Sequence, residues 1–176
     1  MFNYAWRPLH LYPLLEAVAV QEKPKSYLGV GVWKGDCLVH MLKGALPTLE
    51  RLVVCDPFFG HCGGPTDPKV VEDRVRAAGY TGSYELIHDY SNPGLWNWWK
   101  PEVTIDLALI DGDHNFGPAL ADLRAVVPHT KVTLVHDLDH SAVWDAFRTY
   151  VQARKLPFWC TAEAQGTGII YNAEAR

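Results

Sequence analysis

The sequence lacks any apolar run near the roughly 18 residues a bilayer-spanning helix needs, so a membrane protein is not expected. It also lacks a block of Lys or Arg. With 16 basic against 20 acidic residues and a formal charge of -4, its electrostatics argue against a nucleic-acid partner. The four cysteines, Cys37, Cys55, Cys62 and Cys160, form no CxxC pair and no zinc spacing, which predicts free buried thiols. The opening MFNYAWRPLHLYPLLEAV has no basic flank leading into an apolar stretch and a small-residue cleavage site, so a cytoplasmic chain is expected. No internal repeat or low-complexity segment interrupts the chain.

What is present is 176 residues, 48% of them hydrophobic, enough to bury the core of one domain spanning 1–176, with 1–25 as a helical extension. Apolar runs and helical periods alternate from about residue 27, the pattern of βαβ units and a mainly parallel sheet. Strands are predicted at Ser26 to Val32, Leu52 to Cys55, Tyr84 to His88, Ile105 to Ile110 and Lys131 to Val135. Phe158 to Thr161 and Gly168 to Tyr171 follow as a final hairpin around Gln165-Gly166-Thr167. Helices are expected where Leu38, Leu42 and Leu46, then Val71, Val75 and Ala78, share one face, the second capped by Asp67 before Pro68. Others begin at Pro118, carrying Leu120, Leu123 and Val127, and at an N-cap Ser141. Residues 8 to 22 form a leading helix, with Leu11, Leu14, Leu15 and Val18 inward, that packs on the sheet edge or lids the site. The Gly- and Pro-rich FFGHCGGPTDP reads as a loop.

In an open parallel sheet, ligands bind beyond the carboxyl ends of the strands. All five predicted parallel strands end in polar groups: GVGVWKGD, Asp56, Asp89-Tyr90-Ser91, Asp111-Gly112-Asp113-His114 and His136-Asp137-Leu138-Asp139-His140. Turn capping by Asp and Ser accounts for part of this. The glycine turn lets a ligand approach backbone and helix N–H groups. Its spacing places Lys34 at the third glycine of a dinucleotide fingerprint, with Gly35 one residue late, which argues against an NAD-dependent oxidoreductase. Asp56 suits a ribose diol, since a carboxylate accepts from two neighbouring hydroxyls, although Asp56-Pro57 also suits a plain turn. Trp96, Trp98 and Trp99 could stack on a planar ligand, but packing over the sheet is the favoured reading.

GVWKGD, VVCDPF and IDLALIDGDHNFGPALADL followed by VTLVHDL resemble the class I S-adenosylmethionine-dependent methyltransferases. The likeness is greatest to their small-molecule O-methyltransferase branch, typified by catechol and macrolide-sugar enzymes, and spans roughly residues 26 to 172. The resemblance implies an α/β, Rossmann-like, seven-stranded, mainly parallel sheet flanked by helices, with the last strand antiparallel. It implies S-adenosyl-L-methionine as cofactor. Gly29, Gly31 and Gly35 would line its methionine portion, Asp56 would hold its ribose, Ser91 would lie beside its adenine, and Asp111 would sit between cofactor and acceptor. Gly29 departs from the family, which usually has an acidic residue there.

Metal-dependent relatives in that branch hold a divalent ion with an aspartate after strand 4 and an Asp-Asn pair after strand 5. Asp111 and Asp137 match the aspartates. Leu138 stands at the asparagine, so Asp139, His136 or His140 would have to serve, with Asp139 completing the expected set. Oxygen ligands favour Mg2+, and a histidine in the set favours Mn2+, Fe2+ or Zn2+. Such an ion would lower the pKa of an acceptor hydroxyl and orient it. His114 and His140, with ordinary values near about 6.5, are metal-free candidates for the base.

Nucleic-acid amino-methylation would need an Asp/Asn-Pro-Pro-aromatic motif after strand 4, where this chain has Asp111-Gly112-Asp113-His114. The expected function is therefore methyl transfer to an oxygen of a small molecule or sugar. The alternative is a non-catalytic or regulatory cofactor-binding domain, suggested by Gly29 and Leu138. Short specificity loops leave the acceptor pocket open or completed by a second copy in a homo-oligomer.

Overall fold

Strands whose residues are buried on both sides must be covered by helices on both faces. In the computed structural model, which describes residues 7–59, 66–100, 102–161 and 166–175, the sheet is covered in that way. The elements run α1 (Arg7–Glu22), β1 (Ser26–Val30), α2 (Asp36–Ala45), β2 (Arg51–Cys55), α3 (Pro68–Ala77), β3 (Ser83–Ile87) and α4 (Ser91–Trp98). They continue with β4 (Ile105–Ile110), α5 (Phe116–Val126), a 3-10 turn at Val127–His129, β5 (Thr130–Val135), α6 (Ser141–Arg154), β6 (Phe158–Thr161) and β7 (Thr167–Tyr171).

The seven strands lie in the order β3-β2-β1-β4-β5-β7-β6. The first five are parallel, and β7, the last in the chain, runs antiparallel between β5 and β6. Strand order reverses between β1 and β4, where Val30 pairs with Ile110, the kind of switch point at which open α/β sheets bind ligands.

Alternation along each strand divides the core in two. Tyr27, Leu52, Val54, Leu107, Leu109, Val132 and Leu134 pack with α1, α2 and α3. Leu28, Val30, Val53, Ala108, Ile110 and Val135 pack with α4, α5 and α6. The leading helix is not an edge element: its Leu11, Leu15, Val18 and Ala19 join the first core beside α2. Gly44 of α2 makes that approach possible, because a Cβ there would stand 2.5 Å from the Glu16 carbonyl oxygen.

Several expectations shift for local reasons. Strand β1 stops at Val30, because Gly31 turns the chain with φ +73° and gives its amide to the Cys55 carbonyl. Helix α5 begins at Phe116, before Pro118, since Asp113 accepts from the Asn115 amide and shapes the entry. Ser141 is the first residue of α6 and His140 occupies the N-cap, with no side-chain cap bond. Cys37 and Cys55 are free and buried as expected, whereas Cys160 on edge strand β6 is exposed, and Cys62 lies outside the described residues, as do 60–65 of the predicted loop and Gln165 of the hairpin turn. Trp98 and Trp99 pack on the second core, and Trp96 is exposed. Among the described residues, no helix is long and apolar enough to cross a membrane.

Candidate active site

The floor of the crevice is the turn after β1. A Cβ on Gly31 would lie 2.0 Å from the Asp111 carbonyl oxygen, so only glycine lets the β1 and β4 ends meet there. Gly35, at φ +80°, opens α2 as its N-cap and rests against Val71. The Arg74 guanidinium ties this segment to α3 by bonding both the Lys34 carbonyl and the Asp36 carboxylate. Gly29 is different. It lies within β1, buried, and a Cβ there would meet Val32 and Leu38, so apolar atoms fill the place where the resemblance implies an acid.

Asp56 has a task that sequence reasoning missed. Its Oδ2 accepts from the amides of Val32 (2.7 Å) and Trp33 (2.9 Å), and its Oδ1 from Phe58 (2.6 Å). Only 8% exposed, it pins the glycine turn to the end of β2. Ser91 opens α4 at the end of β3, and its side chain works against the rise that burial causes in the Asp122 pKa.

At the β4 and β5 ends, four charged or polar side chains converge. His136 Nδ1 stands 3.1 Å from Asp111 Oδ1 and 3.4 Å from Asp137 Oδ2, and His114 Nε2 stands 2.9 Å from the same Asp137 oxygen. The His140 ring lies 4.8 Å from that of His114. Asp137 adopts φ +57°, a conformation that Asp tolerates better than most residues and that turns His136 and Asp137 inward together.

The charges in this cluster are interdependent. Burial opposes a cation at His136, but the bonds to Asp111 and Asp137 outweigh it and raise its pKa to about 10. Burial also works against the Asp137 carboxylate, yet the His114 and His136 bonds prevail and hold it well below the usual range. Asp111 goes the other way, raised by burial with His136 only partly compensating. The Asp137 bond raises His114 against the opposing effect of burial.

Asp111, His136 and Asp137 each present a ligand atom within 4.8 Å of the others, the one such group among the described residues. His136, not Asp139, is the third member of that group. The physical reason is the turn at Asp137: it buries Leu138 in the second core and carries Asp139 to the surface, where it has other interactions. His114 and His140 do meet at this mouth, while Asp113 bonds only its own turn. His136 was legible as one of three substitutes for the missing asparagine. The signal for Asp122 was an acid inside the apolar face of Ala119, Leu120, Leu123 and Val126.

A family model described as a methyltransferase domain matches residues 28–138. No curated protein sequence matches the chain. Solved structures match its fold. An O-methyltransferase from Bacillus cereus in complex with SAH has TM-score 0.67 and 12% identity, covering 96% of this chain and 86% of that one. A TDP-rhamnose 3'-O-methyltransferase of calicheamicin biosynthesis has TM-score 0.70 and 19% identity, covering 92% and 77%. TomG, an O-methyltransferase from Streptomyces achromogenes involved in tomaymycin synthesis, in complex with SAM, has TM-score 0.66 and 13% identity, covering 91% and 78%.

Proposed function

The chain belongs to the methyltransferase-domain family, and from that premise we propose that it transfers the methyl group of S-adenosylmethionine to a hydroxyl oxygen of a small molecule or sugar. The observation that carries this reading is the junction of the glycine turn with the Asp111–His136–Asp137–His114 cluster, which sets a backbone cradle against proton-accepting groups.

The cradle fits the cofactor. Gly31 leaves no room for a side chain at the β1–β4 junction, Asp56 holds the turn rigid, and Ser91 presents a hydroxyl at the β3 end. When bound, S-adenosylmethionine supplies an electrophilic methyl on a sulfonium. In this reading the glycine turn binds the methionine portion and Ser91 the adenine. Asp56 acts on the ribose side chiefly through the loop it fixes, since its carboxylate already accepts three amides.

His114 is the proton acceptor. Its Nε2–H donates to Asp137, which leaves Nδ1 with a lone pair for the acceptor hydroxyl and stabilises the imidazolium that results. Asp111 faces the reacting oxygen, and His140 flanks the His114 ring.

The donor set also fits a divalent ion. Asp111, His136 and Asp137 would hold it, and a mixed nitrogen and oxygen set favours Mn2+, Fe2+ or Zn2+ over Mg2+. Such an ion supplies Lewis acidity that lowers the pKa of a coordinated hydroxyl. The cytoplasm is the compartment consistent with cysteines that include two free buried thiols.

The test is turnover of methyl-deuterated S-adenosylmethionine against a panel of phenols, catechols and deoxysugar nucleotides, with Mg2+, Mn2+ or chelator. A deuteromethyl ether in the product supports the reading. Cofactor binding without transfer to any acceptor favours the regulatory alternative.

A further inference from the structure

Away from the crevice, a cavity of about 310 Å3 lies where α4, α5 and α6 meet on the outside of the second core. Leu120 of α5 and Trp96 of α4 give it an apolar side. Trp96 is 51% exposed and belongs to neither core. Arg124 of α5 and Thr149 and Arg154 of α6 give it a polar side, beside the buried Tyr150. The Arg154 guanidinium carbon lies 5.9 Å from the centre of the Tyr150 ring. Among the described residues, no Asp or Glu lines the cavity.

The arginines set this place apart. Arg51, Arg74, Arg76 and Arg148 each reach a carboxylate. Arg124 and Arg154 have no carboxylate partner among the described residues, and both line this one cavity. Each stands in the last turn of its helix, where a cation offsets the carbonyl end of the helix dipole. That accounts for a cation at each helix end. It does not account for their meeting beside an exposed indole in a chain whose formal charge is -4.

Two guanidiniums without a counter-ion suit a ligand group that carries two negative charges. The guanidinium fork matches phosphate oxygens, and the Thr149 hydroxyl is a further donor. An exposed indole and a leucine side chain suit a flat ring. A volume of about 310 Å3 lies at the small end of ligand sites, the size for a phosphate ester of one planar ring system.

We propose that the cavity between α4, α5 and α6 is a second binding site, which takes a planar organic monophosphate with its phosphate between Arg124 and Arg154 and its ring on Trp96. None of its lining residues belongs to the crevice, so the two sites fill independently. The bound ligand ties α5 to α6, whose starts carry His114 and the N-cap His140.

The probes are 1-naphthyl phosphate, glycerol 1-phosphate and inorganic phosphate, titrated calorimetrically into the full chain with chelator present. One-to-one binding of 1-naphthyl phosphate is expected, about tenfold tighter than that of glycerol 1-phosphate, the scale of one aromatic contact with its buried area. Arg124→Gln and Arg154→Gln, both at exposed positions, should each weaken it by about tenfold or more, as for one charge-assisted hydrogen bond lost. Trp96→Ala should erase the preference for the naphthyl ester and leave the affinity for glycerol 1-phosphate unchanged. Binding that survives both arginine substitutions overturns the proposal, as does the absence of binding by 1-naphthyl phosphate. Inorganic phosphate that binds as tightly as the naphthyl ester overturns the ligand class. Saturating S-adenosylhomocysteine should leave the wild-type affinity unchanged, and competition between the two would place the phosphate ester in the crevice and overturn the second site. A chain that takes the naphthyl ester but not S-adenosylhomocysteine supports this site and refutes the cofactor reading alone.

Discussion

Replacing Asp122 with Asn should stabilise the protein, and more so as the pH rises. Burial, partly offset by the Ser91 side chain and reinforced by the Asp113 charge, raises its carboxyl from 3.8 to about 6 in the folded state. The native state therefore binds a proton, between about pH 4 and pH 6, that the unfolded chain has already released. For an acid raised on folding, stability is lost as the pH climbs through that window and stays low above it. A shift of about two units corresponds to about 3 kcal/mol, a large share of the 5–15 kcal/mol typical of a domain. Asn keeps the shape but cannot ionise. Urea unfolding followed by tryptophan fluorescence from pH 4 to pH 8 should show the Asn variant gaining about 2–3 kcal/mol on wild type across the range, most of it below pH 7. Parallel stability profiles would refute the reasoning. They would mean that Asp122 is hydrated or paired in solution and that the enclosure of Oδ1 has no energetic weight.

The other predictions concern the crevice itself. Gly31→Ala places a Cβ 2.0 Å from the Asp111 carbonyl oxygen at φ +73°, so it should lose at least about 2 kcal/mol in chemical denaturation and abolish S-adenosylhomocysteine binding in calorimetry. Asp56→Ala strands three amides at once; a loss of about 3 kcal/mol in the same denaturation assay is expected, with weaker ligand binding as the loop loosens. Asp111→Ala should reduce turnover by about 100-fold or more, whereas Asp113→Ala, which removes only the two turn bonds from Asn115, should stay within about threefold. Mn2+ binding measured by calorimetry should be lost in His136→Ala and retained in Asp139→Ala, and the reverse order would restore Asp139 as the ligand.

The parts of the fold that were legible are those governed by periodicity. Strand β4 runs Ile105–Ile110 as read, because five apolar residues around one acid fit a strand buried on both faces. Even that acid, Asp106, has a structural role: its oxygens accept from the Lys25 and Ser26 amides and from Lys131 Nζ at 2.6 Å, stitching the lower ends of β1, β4 and β5. Such long-range pairings leave no trace in local spacing. The candidate site divides in the same way. Asp111, Asp137 and His114 could be named from the strand ends, since a strand's carboxyl end is where its chain leaves the sheet. That His136 rather than Asp139 lies beside Asp111 follows from the left-handed turn at Asp137, a backbone choice that neighbouring residue types permit without dictating. Asp56 was read as a ribose ligand from its position, and its three backbone bonds appear only once β1 and β2 are side by side.

The central claim is that the β1–β4 crevice of this methyltransferase-domain chain is a cofactor site whose methyl group goes to oxygen. Titration calorimetry of wild type with S-adenosylhomocysteine, with and without Mn2+, tests it most directly. One-to-one binding that disappears in Gly31→Ala and survives in Asp113→Ala is the predicted result. No heat and no competition with S-adenosylmethionine under any metal condition would contradict the account.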